Sequence, residues 1–534
     1  MFTELADEPR AASDELQTPR RGPVSGRRGV VASAHTQASL IGTDVLRAGG
    51  NAIDATIAVS AAMVVLQPVA SHLGGDAFTL IRTAQGEKLA LNAGGRAPLA
   101  ATPERFLNGI PRRGAMAVAV PGLVDAWCAL HERLATKTLR ELLAPAITLA
   151  RDGFPISQAF AFVTRTAQET LAADPGCAEL FLKDGTPRPG SVLKQPDLAR
   201  TLEAIGEGGR DAFYSGDVGQ RIVALMRERA GLITDDDLAR DQAVWGTPLM
   251  TTYRGWQVYE QPIPSQGLIT LEALNIIEGF DVGSQSIVSP ERVHVSVEAI
   301  RLAFEDRRRY VGDPGAVDVP VERLLSKEHA AERRKQIAAQ ASASSVAPRG
   351  GDTTSFAVAD GSGNIVSFIQ SVFDRWGAAV VVPGTGVLLN NRMRGFSLDP
   401  ESPNVVRPGM RTVHTLNTWL LEREDGRVYA GGTPGADFQV QVNAQVISAL
   451  VDSRLDPQTA IDAPKWVLSG PGELTAEARF PNETLVELER RGHRTRRVVT
   501  WDALLSRSQM VVHDPSGALM AASDFRGEGC GLAV

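Results

Sequence analysis

Cysteine is scarce in this 534-residue chain: Cys128, Cys177 and Cys530 stand far apart, with no redox or metal-ligand spacing. That argues against a disulfide framework and makes a reducing, cytoplasmic setting the expectation. An excess of positive charge is missing too. Lys and Arg number 55 against 62 Asp and Glu, and the net charge of −7 lacks the footprint of a nucleic-acid binder. The basic clusters that do occur, Arg307-Arg308-Arg309 and Arg490-Arg491, sit beside acidic residues and read as solvated faces. No apolar run is long enough to span a bilayer. The longest, Ala55 to Val69, is broken by Thr56, Ser60, Gln67 and Pro68 and suits a buried helix. Residues 1–28 lack the apolar centre of a secretory signal and are expected to form a disordered tail.

Several catalytic signatures are absent as well. The eight histidines include no HExxH, and no His and Cys cluster has ligand spacing, so no metal site is expected. Gly-Gly pairs are common, but none builds a phosphate-binding loop or a dinucleotide fingerprint, and no cofactor is expected. Gly-x-Ser-x-Gly is missing, which removes the nucleophile elbow of an α/β-hydrolase.

What is present is a globular composition, 43% hydrophobic and 22% charged, in a chain long enough for a sizeable core. Helix and strand signals alternate in blocks, which argues for α/β or α+β layers. Strands are predicted at Val30–Ser33, Ala77–Arg82 and through Leu89 and Leu91. Helices are predicted at Thr36–Ala48, Ala55–Leu66, Leu123–Leu134, Leu139–Arg151 and Pro290–Tyr310, with one more near Val440–Val451 in an otherwise strand-rich last third. Residues 338–351 are small and polar without periodicity and read as a mobile surface loop.

The pattern changes at Thr353. Thr354, Phe356 and Val358 fall on one face of a strand, and Thr353, Ser355, Ala357 and Ala359 on the other. Asp360 to Asn364 form a turn, and Ile365–Ser371 a second strand. If the hairpin is symmetric about Ser362, Ala359 lies opposite Ile365 and Thr353 opposite Ser371, within hydrogen-bonding reach. A Thr-Thr pair opening a strand is by itself ordinary β-structure. The chemical alternative is a threonine nucleophile whose own α-amine, released by cleavage of the Asp352–Thr353 bond, serves as its base.

Further blocks accompany this segment: Asp44-Val45-Leu46-Arg47-Ala48-Gly49-Gly50-Asn51-Ala52-Ile53-Asp54-Ala55, Leu73-Gly74-Gly75-Asp76, Val120-Pro121-Gly122, Pro145-Ala146-Ile147, Pro264-Ser265-Gln266-Gly267, Gly386-Val387-Leu388-Leu389-Asn390-Asn391 and Thr433-Pro434-Gly435. With them, the chain from about Gly29 onward resembles the γ-glutamyltransferase family. The resemblance implies an N-terminal-nucleophile hydrolase with an α+β, four-layer αββα sandwich. It also implies a proenzyme that cuts itself into a large-subunit portion, 29–352, and a small-subunit portion, 353–534, sharing one core and pairing as a heterodimer. It makes Thr353 the nucleophile, Thr354 its neighbour and Ser371 its supporting hydroxyl, and it gives the oxyanion-binding amides to Gly435 and Ala436.

The chain departs from the family around the substrate. Gly94 stands where the family has the arginine that grips a glutamate α-carboxylate. Gly395 stands where it has the acid that binds the α-amino group, Met410-Arg411 replace a serine pair, and Phe373 replaces an asparagine. Arg96, Arg375, Arg392, Arg394 and Arg411 are candidates for a substrate carboxylate, a subset of them facing the site. His414 and Thr415 complete the candidate binding set, although a lone histidine among polar residues is more often structural. The leading expectation is an autoprocessed threonine amidohydrolase for a small amide that bears a carboxylate, as oxamate does. The alternatives are a γ-glutamyl transpeptidase or hydrolase acting on glutathione, a glutaryl-type acylase, and an uncut, non-catalytic homologue.

Overall fold

The hairpin that begins at Thr353 organises one half of the molecule. In the computed structural model, which describes residues 16–19, 21–240, 243–343, 346, 348 and 350–534, strand Thr354–Asp360 pairs antiparallel with Ile365–Ser371, and Ala359 lies opposite Ile365. Asp360 fixes this register. Its carboxylate accepts from the backbone N–H groups of Ser362 and Asn364 and from the Asn364 side chain, so the turn is closed by one residue. The same carboxylate also accepts from Ala52 N–H at the start of helix Ala52–Leu66.

That hairpin is the centre of a seven-stranded sheet. From edge to edge its strands are Cys530–Ala533, Gly29–Ser33, Thr354–Asp360, Ile365–Ser371, Asp76–Arg82, Lys88–Ala93 and Val244–Gly246. A second seven-stranded sheet runs Val24–Gly26, Leu519–Ser523, Gln509–His513, Val428–Gly432, Thr418–Glu422, Trp256–Glu260 and Leu249–Tyr253. Alternation of side chains sorts the layers. Val30, Ala32, Ala357, Ala359 and Ile365 of the first sheet meet Leu420, Val428, Ala430, Val511 and Leu519 of the second in one buried cluster. The outward residues Val31, Phe356, Val358 and Phe368 pack on helices Ala52–Leu66, Leu123–Leu134 and Leu139–Asp152. On the far side, Trp419, Leu421, Met510 and Val512 pack on helices Gly267–Ile277, Pro290–Tyr310 and Phe438–Val451. The result is an α+β, four-layer αββα sandwich.

Ala52–Leu66 is buried along its whole length. It is small-residue rich because it lies between the sheet and other helices, and a capping box of Asn51 and Asp54 starts it. Two expectations are corrected here. Val24–Gly26 is an edge strand on Leu519–Ser523, so a tail reaching residue 28 is too long; its residues 1–15 and 20 lie outside the described residues. Such an edge needs only backbone hydrogen bonds, which composition does not display. The last third also holds helices Pro457–Asp462 and Asn482–Arg490 besides Phe438–Val451. Both are too short for periodicity to reveal.

Candidate active site

Because odd-numbered residues of the Thr354 strand face the second sheet, Thr353 enters the end of the gap between the sheets. It is 2% exposed, and Ser371 is 1% exposed. Thr353 Oγ lies 2.6 Å from the Asp352 carbonyl oxygen and 3.2 Å from Ser371 Oγ. Ser371 Oγ donates to the same carbonyl at 3.0 Å and accepts from Phe373 N–H at 2.8 Å. Two hydroxyls thus converge on the carbonyl of the peptide bond that precedes Thr353. Thr354, which points to the opposite face, is buried, and its hydroxyl meets no partner among the described residues.

The Asp352 side chain is held as firmly as its carbonyl. It is 3% exposed, Arg375 Nε donates to Oδ2 at 2.8 Å, and Arg507 Nη2 donates to Oδ1. Thr353 N–H also donates to Oδ1, at 3.0 Å. Burial alone would push the Asp352 carboxyl upward, but Arg507 and Arg375 reverse this and hold it below the usual carboxylate range. Sequence reasoning misses Arg507. It lies 155 positions from Asp352 and enters from the end of the second sheet, with no local motif to mark it.

A loop from Thr433 to Asp437 closes the other side. Gly435 has φ +129° and Ala436 φ +51°, a left-handed conformation that is costly for a residue with a Cβ. Among the described residues neither backbone N–H meets an acceptor. A Cβ at Gly351 would fall 2.8 Å from Ala436 Cβ, so glycine is what lets the segment before the scissile bond lie against this loop. The loop is braced from behind. Gln266 Nε2 donates to the Ala436 and Thr415 carbonyls at 2.9 and 2.8 Å, and Arg307 Nη1 donates to Gln266 Oε1 and Asp437 Oδ1, both at 2.6 Å. Arg307 is therefore a partly buried strut and not part of a solvated face. The Pro264-Ser265-Gln266-Gly267 block is the one sequence signal of this support.

The other candidate arginines meet different partners, although Arg392 Nη1 and Nη2 are buried without one among the described residues. Arg392 is fully buried, donates from Nε to Asp76 Oδ2 at 2.7 Å, and stacks over the Phe373 ring at 4.4 Å. His414 Nδ1 accepts from Leu416 N–H, which leaves Nε2–H to donate to the same Asp76 oxygen at 3.3 Å. Burial first, then the charge of Arg392, brings the His414 pKa down to about 4, so the ring is neutral. Arg394 pairs with Asp374, Arg96 Nη1 donates to the Gly409 carbonyl, and Arg411 Nε donates to the Gly94 carbonyl. Thr415 contributes its carbonyl to Gln266. Of the five candidate arginines, Arg375 is the one that meets the carboxylate beside Thr353 in the uncut chain, where it is joined by Arg507.

Both departures from the glutamate clamp are crowded by neighbouring side chains. A Cβ at Gly94 would lie 3.0 to 3.1 Å from Asn92 Oδ1, His414 Cδ2 and Phe78 Cζ, and one at Gly395 2.8 Å from Thr412 Cγ2 and Oγ1. A side chain at either position would require these neighbouring side chains to shift.

Elsewhere, Glu272, Asp306 and His329 bring potential ligand atoms within 4.8 Å of one another. Arg333, however, donates to both Asp306 oxygens, through Nε at 2.8 Å and through Nη2. Burial, followed by Asp306, raises the Glu272 carboxyl well above its usual range, so it stays protonated. Asp306 thus already has a cationic partner in Arg333.

The gamma-glutamyltranspeptidase family profile matches residues 38–534. The chain belongs to that family. It is 37% identical to the glutathione hydrolase-like YwrD proenzyme of Bacillus subtilis (strain 168), over 96% of this chain and 99% of that protein. It is 35% identical to the acylase ACY 1 proenzyme of Pseudomonas sp. (strain SE83), over 97% and 95%, and 34% identical to the oxamate amidohydrolase proenzyme of Klebsiella pneumoniae, over 94% and 97%. Among solved structures, cephalosporin acylase from Bacillus halodurans superposes with a TM-score of 0.91 at 37% identity, covering 97% of both chains. The chain is thus an N-terminal threonine hydrolase/transferase with the fold of its family.

Proposed function

We propose that Thr353 is both the processing and the catalytic nucleophile. The observation that carries this is the convergence of the Thr353 and Ser371 hydroxyls on the Asp352 carbonyl. In processing, Thr353 Oγ adds to the Asp352 carbonyl carbon, the C–N bond breaks, and the hydroxyl proton ends on the Thr353 nitrogen. Water then cleaves the ester, leaving fragments of 352 and 182 residues that stay together as a heterodimer. The new α-amine takes the Thr353 hydroxyl proton in each catalytic cycle and delivers it to the leaving amine. The Gly435 and Ala436 amides receive the oxyanion, and a methyl on Ala436 does not remove its N–H.

The substrate is a small amide whose acyl group carries a carboxylate and needs no α-amino group. Oxamate is its shortest member. The crowding at Gly94 and Gly395 supports this reading, because both residues of the glutamate clamp are lost together. A glutaryl-type amide is the second reading, supported by the likeness to the acylase ACY 1 proenzyme and to cephalosporin acylase. Steady-state rates on oxamate, a glutaryl amide and a γ-glutamyl anilide test the proposal. Turnover of the γ-glutamyl compound alone would overturn it.

A further inference from the structure

Asp352 has a double identity in the uncut chain. It supplies the carbonyl that Thr353 attacks, and its side chain is a carboxylate gripped by Arg375 and Arg507. The processing ester on Thr353 Oγ has the same connectivity as an acyl-enzyme: ester carbonyl, Cα, Cβ, carboxylate. We infer that Arg375 and Arg507 form the subsite for the distal carboxylate of the substrate's acyl group, with Asp352 occupying it until processing. This rests on the assignment of Thr353 as nucleophile and narrows the substrate class. It selects monoamides of a dicarboxylic acid with two carbons between its carboxyl groups, the succinyl spacing.

Three features support the assignment. The carboxylate is 3% exposed and meets Arg507 on its inner side, while the Arg375 side chain, 39% exposed, reaches it from the solvent side. Each arginine takes a different oxygen, as a pair must to fix both position and rotation of the group. The arginines also come from separate stretches of the chain, one just beyond Ser371 and one beside the start of Gln509–His513, so neither belongs to the segment that carries Asp352. Hydrolysis of the ester gives Asp352 a second, terminal carboxylate and severs its tether to Thr353. The segment then departs, and the subsite receives an acyl group from solution. That acyl group is transferred to Thr353 Oγ as its amine leaves with a proton, and water releases the diacid.

The test uses the processed wild-type protein and needs no variant to begin. Anilides of succinic, glutaric, oxalic, γ-glutamic and butyric acid are compared by kcat/KM, and succinate is compared with butyrate as an inhibitor. The succinyl anilide is expected to exceed the butyryl one by at least about 10-fold, the scale of a charge-assisted contact. Succinate is expected to compete with substrate where butyrate does not. In any processed Arg375→Gln or Arg507→Gln protein, the succinyl-to-butyryl ratio should collapse. If the succinyl and butyryl compounds react equally while oxamate or the γ-glutamyl anilide is turned over, the subsite assignment fails and the nucleophile stands. The assignment fails in the same way if succinate does not inhibit because the cut end keeps its place. If processed protein turns over none of the series, the functional proposal fails with it.

Discussion

Replacing Ser371 with alanine separates the chemistry of the site from its architecture. Ser371 Oγ makes three contacts: it donates to the Asp352 carbonyl at 3.0 Å, lies 3.2 Å from Thr353 Oγ, and accepts from Phe373 N–H at 2.8 Å. Loss of the acceptor orphans the Phe373 amide in a residue that already holds φ at +80°. An orphaned buried donor costs about 1–3 kcal/mol of folding stability, and Phe373, half-buried, falls at the low end. Loss of the donor removes polarisation from the carbonyl under attack, and deleting one preorganised donor of this kind slows reaction by roughly 100- to 1000-fold. Cutting should therefore slow far more than the modest destabilisation explains. The assay is a time course of cell-free synthesis on denaturing gels, following the 534-residue chain into its 352- and 182-residue products. Ser371→Thr restores the hydroxyl and should restore most of the rate. An unchanged half-time in Ser371→Ala, or a threonine variant no better than the alanine one, would refute the role given to this hydroxyl.

Thr353→Ala should leave the chain intact on the same gels, and continued cutting there would place the scissile bond elsewhere. Ala436→Gly should stabilise the protein by about 0.5–1 kcal/mol, since the left-handed conformation costs about 1–2 kcal/mol with a Cβ and glycine's extra chain entropy returns part of it; urea unfolding measures this. His414 has its pKa lowered from 6.5 to about 4, so the unfolded chain binds the extra proton. Its contribution is complete above pH 6.5 and is lost as pH falls toward 4. Between pH 7 and 5, wild type should lose about 2 kcal/mol more than His414→Gln, and equal losses would show that the ring is not held neutral.

The hairpin is legible because everything that sets it is local: the two-residue alternation, and a turn whose Asp360 closes it from within. That is enough to bring Ser371 to Thr353 from sequence alone. The arginines are not legible in the same way. Arg392 lies three residues from Gly395 in sequence, yet the chain buries it on Asp76, which is 316 positions away. Arg507 has no neighbour in sequence that announces it and becomes meaningful only when the two sheets stack. Charge at a site is a property of the layers' meeting, and pattern along one strand does not encode it. The crowding at Gly94 and Gly395 is a second case. The sequence reveals that two side chains are missing, and only packing shows that Asn92, His414, Phe78 and Thr412 crowd the places where they would start.

The strand that starts at Thr354 lies in the interior of its sheet, between Gly29–Ser33 on one side and Ile365–Ser371 on the other. A cut before Thr353 would therefore change the connectivity of the polypeptide without releasing any strand. The two pieces would be held by a full ladder of sheet hydrogen bonds and by both outer cores, and would separate only by unfolding. Since the attacking hydroxyl meets its target carbonyl only once that sheet is built, the cut acts as a seal: a molecule that carries it has folded, and one that later unfolds has no covalent route back.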